Sequence, residues 1–148
     1  MGITHRSAAK DLGAGLYAHL NSTAFAYASR VFRSYVPQGT TCPYVVVQAV
    51  TENDGWACFG APAKDCTFQV RVVSQSRGEA EAAEIVSATV GRVMTGWDGD
   101  TGGRMTVANH TVGLLAYEGS DPYDELDDAG VQTFHRVGRF RIHLCQST

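Results

Sequence analysis

The residues richest in chemical potential lie in "EGSDPYDELDDAG", positions 118–130. Glu118, Asp121, Asp124, Glu125, Asp127 and Asp128 place six carboxylates in eleven positions, with no Lys or Arg among them. Such a run could hold a divalent cation, supply a general acid and base, repel phosphate or meet a basic partner. A calcium loop needs carboxylates and carbonyls spaced to converge on one ion, as in D-x-D-x-D-G with Glu at the twelfth position. "DPYDELDDAG" lacks that spacing, so a calcium-dependent binding module on 118–128 would need an irregular loop. An acid/base pair needs two carboxyls in contrasting environments, and a loop rich in Asp, Gly and Pro holds such geometry poorly. The plainest reading is a solvated hairpin loop whose charge acts collectively.

Beside the acids in sequence stand Arg136, Arg139 and Arg141. No RNP motif, zinc finger or basic helix surrounds them, and the neighbouring acids oppose phosphate. Arg and acid so close together are expected to pair with each other, within the chain or across a subunit boundary. Trp56 and Phe59 sit in the Gly/Pro-containing loop "NDGWACFGAP". Aromatics on loops either anchor a partner or fold back as a lid on the core.

Other motifs fail on context. "GAGLYA", 13–18, matches a dinucleotide fingerprint, but that mechanism needs a strand just upstream, and here the glycines fall inside a helix. There is no GxSxG, P-loop or HExxH. His135 and His143 share one face of a strand, where eight residues separate them by roughly 26 Å. No catalytic residue, cofactor site or metal site is therefore expected, and the chain does not read as an enzyme. Of Cys42, Cys58, Cys66 and Cys145, none forms a CxxC pair. The opening residues lack an apolar core like that of a secretory signal, so reduced cysteines are expected.

These residues must be positioned by a chain of 148 residues, the size of one domain, so a single domain spanning 1–148 is expected. The formal net charge of -3 advertises no nucleic-acid partner, and no apolar run reaches membrane-spanning length. "SAAKDLGAGLYAHLN" predicts a helix capped by Ser7, with Leu12, Leu16 and Leu20 on its buried face; Gly13 and Gly15 would let another backbone come close. A short edge strand is expected within Val31–Val36, and a buried strand over Tyr44–Val50. "DCTFQVRVVSQ" alternates cleanly and predicts an antiparallel neighbour of that strand. "SRGEAEAAEIVSATVGRVM" predicts a second helix, opened by a Ser76–Glu79 capping box. "MTVANHTVGLLAYEG" and "VQTFHRVGRFRIHLCQ" predict two closing strands, the last with Phe134, Phe140, Ile142 and Leu144 on its dry side. The order implies an α+β fold: a mainly antiparallel sheet of four to five strands with two helices on one face.

In this order the chain resembles the tail terminator, or tail completion, proteins of long-tailed phages and gene transfer agents. The resemblance spans roughly residues 8 to 145. It is carried by the proline leading into "CPYVVVQAV", by "TFQVRVVSQSRGEAEAAEIVSATVGRVM", where a strand runs straight into a helix, and by the closing pair "HTVGLLAYEG" and "TFHRVGRFRIHL". It implies a virion protein, assembled in the host cytoplasm, that forms a homo-oligomeric ring, usually a hexamer, at the head-proximal end of the tail tube. The ring would end tube polymerisation and join the tail tube protein to a head–neck connector or stopper protein. DNA would pass through without sequence-specific binding. A sibling neck protein, such as a head completion or stopper protein, is the nearest alternative. Within a ring, the acids, the three arginines, Trp56 and Phe59 are the candidate interface or channel-facing residues.

Overall fold

A computed structural model describes residues 7–22, 25–55, 62–75, 78–95, 104–126, 130 and 132–147. The elements run α1 (Ala8–Leu20), a 3-10 turn (Ala28–Arg30), β1 (Val31–Arg33), β2 (Tyr44–Asp54), β3 (Ala63–Ser74), α2 (Gly78–Val93), β4 (His110–Leu126) and β5 (Gln132–Gln146). One sheet orders its strands β1-β2-β3-β5-β4; only the β1–β2 pairing is parallel.

The alternation in β3 and β5 decides where the core forms. Cys66, Phe68, Val70 and Val72 of β3 and Phe140, Ile142 and Leu144 of β5 are buried in one cluster with Leu12, Leu16 and Leu20 of α1 and Ala82, Ile85, Val86 and Val93 of α2. Both helices therefore cover the same face of the sheet. Phe68 and Phe140 lie opposite each other in register and stack with centroids 4.8 Å apart, and Tyr117 of β4 completes the row at 5.2 Å. Phe134 is only half-buried, whereas His135, on the opposite parity, is buried.

Ser7 caps α1 as expected, accepting from Lys10 N. The sequence conceals a second cap: Glu52, far along β2, accepts from Ala8 N at 2.8 Å. A carboxylate there satisfies orphan amides and matches the positive end of the helix dipole. Both helix glycines have packing reasons. A Cβ at Gly15 would lie 2.5 Å from Thr106 O, and one at Gly13 would lie 2.8 Å from the Arg33 guanidinium. Ser76 of the expected capping box lies outside the described residues; Ser74 Oγ donates to Glu81 of α2 instead.

The helix C-termini are tied to each other. His19 Nε2 donates to Arg92 O at 2.7 Å, while Arg92 Nε donates to His19 O and Arg92 Nη2 to Ser22 Oγ. Burial, with the Arg92 charge adding to it, holds His19 below its ordinary range despite the hydrogen bond to Arg92 O. The unfolded chain then takes up this proton at higher pH than the folded chain. The stability at stake is fully present above about pH 6.5 and is lost as pH falls from there through the folded value. Urea midpoints are expected to hold from about pH 8 to 7 and to drop by about pH 5.5. His19→Gln should shrink that drop; an unchanged drop would assign it to other groups.

Candidate interaction face

The sheet face away from the helices carries a polar grid. On it His143 Nδ1 meets Asp65 Oδ1 at 2.7 Å, Thr51 and Thr67 share a hydrogen bond of 2.6 Å, and Gln69 Nε2 donates to Gln48 Oε1 at 3.2 Å. Arg139 pairs with Asp121, and Arg141 lies 3.7 Å from Glu118. A shallow groove of about 270 Å³ crosses this region, lined by Val50, Thr67, Gln69, Glu118 and Arg139.

The acidic stretch is not the hairpin loop that its composition suggests. β4 continues through it to Leu126, which pairs with Gln132, so Glu118, Asp121, Asp124 and Glu125 belong to a strand. Two features make this possible. β4 is at the sheet edge, the place where a strand accepts a proline such as Pro122. A register shift between Tyr117 and Gly119 absorbs an extra residue, with Gly119 at φ 117°, a conformation open to glycine. The extended backbone spreads positions 118 to 125 over roughly 23 Å, which works against their converging on one calcium ion. Asp127 and Asp128 lie outside the described residues, as do Trp56 and Phe59.

The three arginines do not act as one cluster. Arg139 and Arg141 point to the grid, both pairing across to β4 acids. Arg136 has the other parity: its Nε donates to Ser120 Oγ at 3.0 Å, beside Ala83, Val86 and Val90 of α2. The Arg139–Asp121 partners are each about half exposed, so the pair contributes about 0–1 kcal/mol and acts more on pairing choice than on stability.

The thiols have other work. Burial pushes Cys66 up to about 11, and the side chain packs in the core. Cys42 is raised as well, first by burial. Cys145 is disulfide-bonded, while Cys42 and Cys66 are free. The expectation of reduced cysteines throughout thus fails at Cys145. The register accounts for its surroundings: Cys145 faces Ala63 at the start of β3, and Gln146 N bonds to Pro62 O. Among the described residues, no group of three or more His, Cys, Asp or Glu could hold a metal ion, and no helix is long and apolar enough to cross a membrane. Among the described residues, the face offers an array of paired charges beside β4, an outer strand of the sheet.

No curated protein matches the chain. A solved chain described as "Virion of native gene transfer agent (GTA) particle" is similar at a TM-score of 0.70 and 16% identity, over 95% of this chain and 99% of that one. At that identity the likeness establishes the shared fold. The family "Tail completion protein gp17" matches residues 14–143. The chain belongs to the tail completion protein gp17 family, and it is a structural protein of the virion tail.

Proposed function

We propose that this chain forms a closed ring, hexameric in number, at the head-proximal end of the tail tube, where it ends tube polymerisation and joins the tube to the head–neck connector. The membership of the tail completion family carries this reading, and the likeness to a chain of a gene transfer agent virion is consistent with it. The fold supplies suitable material: among the described residues, a sheet whose β1 and β4 edges pair with no further strand and one helix-free face of paired charges. A ring needs a heterologous contact, in which one edge of each subunit meets a different edge of the next and the rotation closes. DNA passes through the ring without being read, since the face holds its own Arg–acid pairs and, among the described residues, offers no groove-reading element.

Particles assembled without this chain are the test. Overlong or unattached tails are the expected result, seen by electron microscopy of negatively stained lysates. Tails of normal length beside leaking heads would instead identify a stopper or head completion protein.

A further inference from the structure

The two outer strands of the sheet, β1 and β4, which pair with no further strand among the described residues, differ in charge. From Leu12 to Thr51 the sequence contains no carboxylate, while Arg30 and Arg33 lie in that span at the β1 edge. Their guanidiniums reach only carbonyls: Arg30 Nη1 donates to Pro43 O at 3.0 Å, and Arg33 Nη2 to Lys10 O at 2.9 Å. Lys10 itself is exposed there. No ion pair engages these three cations among the described residues. At the other edge, β4 carries the acids.

The register puts these opposite charges at the same height. Phe32 of β1 pairs with Val46, Val46 with Arg71, Arg71 with Val137, and Val137 with Asp121. The next row runs from Arg33 through Val47, Val70 and Gly138 to Ser120. Two copies placed side by side, with their sheets level, therefore bring the Arg33 end of one row against the acidic half of a neighbour's β4. β1 is only three residues long, so the edges meet mainly through side chains, and the charge on β4 discourages indiscriminate strand pairing.

The geometry points to a head-to-tail contact between copies of this chain, in which the acidic half of β4, from Glu118 onward, docks on the neighbour's basic β1 edge of Lys10, Arg30 and Arg33. This rests on the ring reading above and names the surfaces that would close the ring. Heterologous edges of opposite charge also oppose the wrong, like-to-like pairing of two β4 edges.

The chain has only two lysines, Lys10 and Lys64, which makes a zero-length carbodiimide cross-link informative. Within one chain, Asp11 lies near His110 at the start of β4, and Glu118 is eight residues, roughly 26 Å, further along that strand. A Lys10 link to a carboxylate of 118–125 must then join two chains. Cross-linking of assembled particles followed by mass spectrometry is expected to yield that peptide in a ladder of chain multimers, absent in Lys10→Arg. In parallel, Lys10→Glu with Arg30→Glu is expected to lower incorporation into particles about tenfold or more. Adding Asp124→Lys and Glu125→Lys in the same chain should restore it. Arg33 is kept because its guanidinium packs on Gly13, and thermal melting confirms that each variant folds. No Lys10–acid link between copies, or no rescue by the double reversal, would overturn the contact. If tails lacking the chain are overlong yet rescue fails, the contact falls and the terminator reading stands. Normal tails in its absence would remove the reading itself.

Discussion

Phe140→Ala is expected to lower folding stability by about 3–5 kcal/mol, because it empties the centre of an aromatic row shared by three strands. Phe140 is fully buried, stacks on Phe68 with planes 5° apart, and meets Tyr117 on its other side. Phe68 and Tyr117 are each held in register on their own strands, so the cavity should persist rather than collapse. A domain of ordinary stability has about 5–15 kcal/mol in hand, so this one change removes a large part of it. Thermal midpoints should fall by about 6–20 °C. Leu114→Ala is the control: Leu114 is 58% exposed on the edge strand, and its change should stay within about 0.5 kcal/mol. A loss below about 1.5 kcal/mol for Phe140→Ala would mean that the core repacks freely.

The second large effect is a contrast between two helix glycines. By helix propensity alone, Gly→Ala should stabilise either helix by about 1 kcal/mol. Gly91 in α2 has nothing within 4 Å of an added Cβ, and Gly91→Ala should give that gain, about 0.5–1 kcal/mol. Gly15 in α1 is different. Its added Cβ would press on the Thr106 carbonyl, a backbone atom that cannot rotate away. Gly15→Ala should therefore lose about 1–3 kcal/mol net. Urea unfolding of the two variants beside the parent decides it; equal stabilisation of both would show that the 104–107 segment yields. Because that segment leads into β4, the damage at Gly15 should also be felt at the acidic edge.

Much of the fold was legible before any coordinates. The strict alternation from Cys66 to Val72 has a single buried solution, and the structure buries those residues together. The four-residue spacing of Leu12, Leu16 and Leu20 did the same for α1, and Ser7 caps it as its position implies. The proline before "YVVVQAV" and the close succession in sequence of β3 and α2 belong to the resemblance, and the family match spans both. Even the glycines of "GAGLYA" were open to a packing reading, since a helix lets a second backbone approach wherever the Cβ is missing.

The acidic stretch shows where local reading stops. Asp, Gly and Pro composition describes a loop, and in isolation those residues would form one. Their strand exists because β5 supplies a partner for each position through Leu126, and because Arg139 and Arg141 arrive across the ladder to meet Asp121 and Glu118. The same holds for Glu52. Nothing near it in sequence suggests a helix cap, since its helix begins 44 residues away. Parity, by contrast, already sets Arg136 apart from Arg139 and Arg141, and only the placement of α2 shows what its face meets.

Side-chain periodicity, caps and turn chemistry act over a few residues, so the sequence by itself determined most of the elements, their main buried faces and the α+β class. Strand order and register are non-local: they depend on which apolar faces can be covered at once by two helices and on which edge is left over. Only the tertiary structure could therefore decide that the carboxylates of 118–125 lie on an open edge strand, and that they stand level with Arg33 at the sheet's opposite edge.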